Sequence, residues 1–187
     1  MDAPLAAANA DVFDQPHWRV IAQGFETESW FEDGQAVGTG GIVNPEATRL
    51  PAGQYYYRFA SSDSPRSLVG GGWWIDFENF VLIRNFADRN GHRLRDAARL
   101  MLALPYAWTR VNRLVRAYLQ RPLRAWTGRG KPARGPQGGA DRGALWIPTQ
   151  HIVVRQLYVP GLALRDESGR PLHERVFRSP VQIEETD

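Results

Sequence analysis

Two stretches of alternating apolar and polar residues in the first third of the chain predict β-strands. Residues 18–31 alternate roughly about a glycine, which predicts two short strands. Residues 54–60 contain three tyrosines, an arginine and a phenylalanine, and this aromatic composition is typical of a strand. In strict alternation Arg58 lies on the face opposite to Tyr57 and Phe59. The sequence therefore predicts a strand that carries one arginine among aromatic side chains.

The spacing of apolar residues changes to that of helices in the middle of the chain. Asp76 is a candidate N-cap for a first helix, which the Asn-Gly pair at residues 90–91 ends. Residues 92–104 predict a second helix that a proline stops. Residues 107–121 carry apolar side chains at helical spacing and predict a third helix. Three helices are therefore expected between an early and a late group of strands.

The late strands complete the predicted architecture. Residues 151–159 alternate as a strand does, and the tail from residue 176 adds an edge strand. We expect one α+β domain, with a mainly antiparallel sheet and about three helices inserted between its two halves. The domain is expected to cover residues 17–187, with a Gly/Pro/Arg-rich loop at about 127–143. Residues 1–16 are Ala/Asp-rich and are expected to be disordered.

The composition excludes several kinds of site and targeting signal. The chain has no cysteine, which excludes disulfides, thiolate metal sites and cysteine nucleophiles. Its four histidines lack metal-ligand spacing, so we expect no metal. The sequence has no apolar run long enough for a membrane span and no secretory signal at its start. We expect a cytoplasmic protein, or an effector that is secreted without a cleavable signal peptide.

The basic residues are concentrated in one region. Residues 107–134 contain eight basic residues and no acidic one, whereas the formal net charge of the whole chain is +3. Such a region attracts nucleic acid or an acidic protein partner, although a solvated arginine-rich face is the commoner outcome. The candidate partner-binding residues lie on the predicted third helix and just after it: Arg110, Arg113, Arg116, Arg121 and Arg124.

Two glycine clusters are candidate sites at which the backbone could contact a ligand. Residues 38–41 hold three glycines, but neither a Lys-Ser/Thr pair nor a helix follows, which argues against a phosphate loop. Residues 70–72 are three glycines that open a strand at Trp73 and Trp74. Those two indoles point to opposite faces of a sheet, so one is expected in the core while the other is free to line a cleft.

Three side chains are candidates for chemistry, and each also has a structural interpretation. Arg58 could present its guanidinium to a phosphate or carboxylate, or it could stack at the sheet edge. Glu78 could serve as a catalytic carboxylate, or simply suit the N-terminal dipole of the first helix. His151 could act in catalysis or lie at a strand edge. A nuclease would need a His/Glu/Arg cluster, for which His151 and Arg155 are the only hint.

Residues 53–159 resemble the ADP-ribosyltransferase fold, which includes bacterial toxins that consume NAD. The resemblance consists of an arginine-bearing strand, a polar loop, a Gly-Gly-x-Trp strand, a helix directly behind it, and later strands after a helical insertion. It implies that NAD is bound as a substrate, and that Arg58 holds its phosphates or ribose. The other implied cofactor-binding residues are Ser61 and Ser62 near the cofactor, and Gly72, Trp73 and Trp74 around the nicotinamide.

The third motif of that family departs from its usual pattern here. The segment TQHIVV has Gln150 and His151 where Glu-x-Glu or Gln-x-Glu is expected. Either Glu78 or Glu184 substitutes for the missing carboxylate, or the protein binds without catalysing. The resemblance thus implies an NAD-using ADP-ribosyltransferase or NAD glycohydrolase-like toxin or effector. The alternative is a non-enzymatic module that binds nucleic acid or an acidic protein through its arginine-rich region.

Overall fold

The computed structural model of the protein contains a seven-stranded antiparallel sheet with helices on both faces. It describes residues 6–24, 26–32, 35–38, 40–61, 65–135 and 145–186. None of the described helices is long and apolar enough to cross a membrane. In chain order the elements are α1 (Ala10–Phe13), α2 (Pro16–Gln23), β1 (Glu26–Glu32), β2 (Gln35–Gly38), β3 (Glu46–Leu50), β4 (Tyr55–Ala60), α3 (Pro65–Gly70), β5 (Trp73–Asp76), α4 (Phe77–Asn90), α5 (Leu94–Leu102), β6 (Arg113–Tyr118), β7 (Leu123–Arg129), β8 (Ala133–Arg134), β9 (Leu145–Trp146), β10 (Arg155–Tyr158), α6 (Leu172–Val176) and β11 (Gln182–Glu185).

The large sheet consists of two halves joined by one short strand. Its strand order is β11-β6-β4-β5-β10-β7-β3, and every pairing is antiparallel. The strand β5 pairs with β4 at only two positions and with β10 at only two. Two small ribbons, β1-β2 and β8-β9, accompany the sheet. The α+β class with a mainly antiparallel sheet is therefore confirmed.

Each face of the sheet has its own core. Tyr56, Trp74 and Leu157 face the layer that contains α3 and α6. Tyr57 and Ile75 face the layer formed by α4 and α5. A third cluster forms where α2 packs on the β7-β10 half of the sheet. The alternation predicted for the aromatic strand is confirmed, because consecutive residues of β4 belong to opposite cores.

The helix that follows β5 begins and ends as its sequence predicts. Oδ1 of Asp76 accepts a hydrogen bond from the backbone N–H of Asn79 at 2.8 Å, as an N-cap does. Gly91 ends α4 in the left-handed conformation with φ of 64°. The same Asn79 is buried, and its Oδ1 accepts from the backbone N–H of Arg155 at 2.7 Å. The cap therefore also fixes α4 to β10.

The prediction of a third helix at residues 107–121 is wrong, because this segment contains the strand β6. Leu114 faces one core while its neighbour Val115 faces the other. A strand buried on both faces has consecutive apolar residues, and such a run can match helical spacing. Pairing with β4 on one side and β11 on the other overrides any helical tendency.

The structure differs from the sequence prediction at residues 18–31. Residues 18–31 were expected to form two strands, but α2 occupies the first part because Pro16 lies at its first turn and Gly24 follows its end. Of the segment 1–16, residues from 6 onward are described and contain α1. Asn9 there is 2% exposed and donates to the backbone oxygen of Arg124 at 2.9 Å.

The later segments follow the prediction in part. The strand expected at 151–159 is shorter, since β10 begins at Arg155 and His151 lies in a bend before it. The expected edge strand of the tail is confirmed as β11. Of the loop predicted for residues 127–143, the first three residues belong to β7, and residues 136–143 lie outside the described residues.

We expect Asp76→Ala to lower the free energy of unfolding by about 1–2 kcal/mol, because the cap and the position of Asn79 are lost together. Asp88→Ala, an exposed position on the same helix, is the matched control and should change stability by under about 0.5 kcal/mol. Urea unfolding measures both. Equal effects from the two substitutions would contradict the structural role of this cap.

Candidate functional site

Arg58 lies where the two halves of the sheet separate. The strand β4 pairs with β6 along its whole length, but its pairing with β5 stops at Tyr57. From Arg58 onward the two strands diverge, and the guanidinium enters the gap. Its Nη1 donates to the backbone oxygen of Trp73 at 2.9 Å. The Arg58 side chain therefore bonds a carbonyl of β5 beyond the point where the backbones of β4 and β5 pair.

The three glycines before β5 make room for this arrangement. A Cβ at residue 71 would lie 2.1 Å from Nη2 of Arg58, so only glycine fits beside the guanidinium. A Cβ at residue 72 would lie 2.7 Å from the ring of Tyr158. The indole Nε1 of Trp74 donates to the oxygen of Gly71 at 2.7 Å and fixes this turn. Glycine at residue 71 is therefore required by the position of Arg58, and glycine at residue 72 by the ring of Tyr158.

The charge of Arg58 has no acidic partner in the part of the chain that the structure describes. Burial lowers the pKa of its guanidinium to about 10, so the group remains protonated at neutral pH. Its Nε is buried and has no hydrogen-bond acceptor among the described residues. A buried cation without an anion is unfavourable, and the structure offers only one carbonyl in compensation. An anionic ligand would supply the missing charge.

A cavity of about 140 Å³ opens beside Arg58, lined in part by β4, β5 and the end of α5. Aromatic rings of Tyr57, Phe59 and Trp73 form part of its lining, and Lys131 and Gln156 add polar groups. No carboxylate is found among the described residues that line it. Cavities of roughly 150 Å³ hold a benzene-sized ring. The site therefore combines space for one planar ring with two cationic side chains.

The segment between α5 and β6 closes one side of the cavity, and Arg99 holds it. Arg99 is 3% exposed, and its guanidinium donates to the oxygens of Leu104 and Thr109 at 3.0 and 2.7 Å. Ala103 and Val111, at the two ends of this segment, both have φ of 51°. A left-handed β-branched residue is uncommon and indicates a closely constrained backbone. The segment contributes Leu104 and Trp108, together with Leu102 and Ala103, to the cavity wall.

The structure brings only some of the predicted site residues together. Arg58, Trp73 and Trp74 all line the cavity. Trp74 is also part of the core, whereas Trp73 packs on Tyr158 at 5.0 Å between ring centroids. Gly72 contacts Tyr158 and so shapes the same wall from behind.

The predicted serines and catalytic candidates lie elsewhere. Ser61 follows β4 and is not among the described lining residues, and Ser62 lies outside the described residues. Glu78 is exposed on the first turn of α4, in a separate groove that shares Tyr57 with the cavity. Gln150 and His151 are exposed before β10 and do not line the cavity as described. No described group of three or more His, Asp or Glu residues could hold a metal ion.

The five arginines proposed for partner binding do not share one helix face. Arg113 forms an ion pair with Glu185 at 2.9 Å, and Arg124 forms one with Asp14. Arg116 lies over the ring of Tyr55 at 4.0 Å. Arg110 and Arg121 lie on the connections that flank β6. Because these arginines lie on β6, on β7 and on the connections around them, they make separate local contacts.

Four residues of the site were missed in the sequence: Arg99, Trp108, Lys131 and Gln156. Gln156 had a signal, because it is a polar residue between Val154 and Tyr158 on one face of the predicted strand. Lys131 is the only lysine in the chain, which is a weaker signal. Nothing in the local pattern distinguishes Arg99 from the other arginines of its helix.

Searches of protein-family models, of curated proteins and of solved structures return no match to this chain.

The two buried arginines should respond in opposite ways to removal of their charge. Arg58→Met should leave the free energy of unfolding unchanged or raise it by about 1 kcal/mol, because an uncompensated buried charge is removed. Arg99→Met should lower it by about 3 kcal/mol, because two carbonyls lose a charged donor. Urea unfolding of both variants measures the difference. If Arg58→Met is as destabilising as Arg99→Met, Arg58 is a structural residue and not a ligand contact.

Proposed function

We propose that this chain is an NAD-using protein whose nicotinamide ring occupies the cavity beside Arg58. The observation that carries the proposal is the largely buried guanidinium of Arg58, which has no acidic partner among the described residues, next to a space for one planar ring. A dinucleotide offers both a ring and a diphosphate, and arginine presents a planar fork to phosphate oxygens. The order of strand, glycine run and tryptophan strand in the sequence supports the same ligand.

The size of the cavity decides which part of NAD enters it. Drug-sized ligands occupy about 300–1,000 Å³, whereas this cavity measures about 140 Å³. Only the nicotinamide fits inside, and the remaining dinucleotide would extend past Trp108, which is 44% exposed at the wall. Trp73 and Trp108 would contact the ring, and Lys131 would add a second positive charge near the phosphates. The amide nitrogen of Gln156 already donates to the oxygen of Leu102 at 3.2 Å. The amide oxygen of Gln156 would then accept a hydrogen bond from the ligand.

Cleavage of the bound NAD, by ADP-ribosyl transfer or by hydrolysis, requires stabilisation of an oxocarbenium-like state by a negative charge. Among the described residues, the carboxylates of Asp76 and Glu78 lie in the groove on the other side of Tyr57. Asp76 is occupied by the helix cap, so Glu78 is the side chain we assign to this role. Binding of NAD is the first step of the proposal, and cleavage is the second.

Isothermal titration with NAD tests the binding step. We expect saturable binding to the wild type and at least tenfold weaker binding to Arg58→Met, since a charge-assisted contact contributes about 1.5–3 kcal/mol. Gly71→Ala should weaken binding similarly, because it displaces the guanidinium. Gly70→Ala is the matched control, since its added methyl meets only side-chain atoms at 3.3 Å or more.

Chromatographic detection of nicotinamide release on the same samples tests the cleavage step. Release that depends on Arg58 would support an NAD-consuming enzyme. NAD binding without release of nicotinamide would support the binding proposal and contradict the enzymatic one. No binding at millimolar NAD would overturn both.

A further inference from the structure

A second concave surface is lined mainly by arginine side chains. We call it the arginine cleft, and it is a cavity of about 240 Å³ between α5 and the segment that follows it. Four guanidinium groups and one carboxylate line it. The lining residues are Arg93, Arg95, Asp96, Arg99, Tyr106 and Arg110.

The single carboxylate of the arginine cleft is shared between two arginines. Oδ2 of Asp96 accepts from Nε of Arg93 at 2.9 Å, and its other oxygen lies 4.0 Å from Nε of Arg95. The side chain of Arg93 remains 59% exposed. One carboxylate for the two guanidinium groups of Arg93 and Arg95 leaves a net positive charge at a position that solvent reaches. Such a surface attracts anions.

Aromatic residues line parts of both concavities, and we call Tyr106, Trp108 and Trp146 the aromatic rim. Tyr106 is 53% exposed, and the guanidinium of Arg99 supports its ring from 4.0 Å. Trp146 meets Tyr106 edge-on, with 5.3 Å between ring centroids. Trp108 is close to Gly40 and reaches the cavity wall. Large aromatic rings are thus held exposed by specific contacts.

Each concavity combines cationic and aromatic side chains. Tyr106 lines the arginine cleft with the arginines, and Trp108 lines the cavity with Lys131. Asp96 is the only carboxylate among the described residues that line either concavity. A ligand that matches this combination carries repeated negative charges and repeated flat rings.

We propose that the arginine cleft and the aromatic rim bind single-stranded nucleic acid. Phosphates would occupy the arginine cleft, and bases would stack on Tyr106 and Trp108, which is how sequence-independent single-strand binding is built. An acidic protein segment would neutralise the charges, but its carboxylates would not stack on the exposed ring faces. The proposal does not depend on NAD, since Arg93, Arg95 and Tyr106 do not line the cavity as described.

Fluorescence anisotropy with a labelled twelve-residue oligothymidine, between about 50 and 200 mM salt, tests the proposal. We expect affinity to fall with salt, with a slope of about −0.7 for each phosphate neutralised. Arg93→Ala combined with Arg95→Ala should weaken binding and reduce that slope by about one to two units. Tyr106→Ala should weaken binding roughly tenfold at all salt concentrations, because it removes a stacking ring, and Tyr106→Phe should restore it.

The control removes the same amount of charge from another surface. Arg170 and Arg178 are exposed and line neither concavity, and their joint replacement by alanine should change the affinity by less than about threefold. Melting curves of all variants, together with the Tyr106→Phe result, separate loss of binding from loss of folding. No binding at the lowest salt, or an effect of the control pair equal to that of Arg93 and Arg95, would overturn the proposal. Competition by polyglutamate as effective as competition by unlabelled oligothymidine would also overturn it, in favour of an acidic protein.

Discussion

The buried charge of Arg58 is the constraint on which the centre of this structure depends. A protonated guanidinium in the gap between β4 and β5 requires the strands to stop pairing after two positions. It also requires glycine at residue 71, because any side chain there would occupy the space of the guanidinium. The oxygen of Trp73 compensates only part of the loss of hydration. Such a group is retained at a stability cost, which is typical of residues that act on a ligand.

The contrast between Arg58 and Arg99 separates the functional from the structural role of a buried arginine. Arg99 donates to two carbonyl oxygens and supports the ring of Tyr106, so it fixes the segment that closes the cavity. Arg58 donates to one carbonyl, and its Nε has no acceptor in the described part of the chain. Arg99 therefore builds the wall, while Arg58 presents unused hydrogen-bonding capacity beside the space that the wall encloses. The same segment carries the exposed rings of the neighbouring basic surface.

Local sequence was sufficient for the elements whose pattern and end signals agree. The aromatic alternation of β4, the Asp76 cap and the Gly91 stop of α4 all follow from short-range chemistry. The strand β6 could not be predicted in this way, because burial on both faces produced an apolar spacing that also fits a helix. Its identity depends on pairing with β4, more than fifty residues earlier.

The candidate site was predictable to a similar extent. Arg58 and Trp73 lie close in sequence and were recognised together as an arginine and a tryptophan on adjacent strands. Lys131, between β7 and β8, and Gln156, on β10, reach the same cavity from far along the chain, so only the tertiary fold brings them there. The candidates Glu78 and His151 do not line the cavity as described, and Glu78 lies in a groove that shares only Tyr57 with it.

The most direct test of the central claim is an NMR titration that observes the arginine Nε–H signals of the wild type as pyrophosphate is added. Comparison with Arg58→Met and Arg99→Met assigns the two buried side chains. If Arg58 is an anion-binding group, its signal should shift and saturate while that of Arg99 stays in place. An Arg58 signal that does not move at millimolar pyrophosphate, or that moves no more than that of Arg99, would contradict the account.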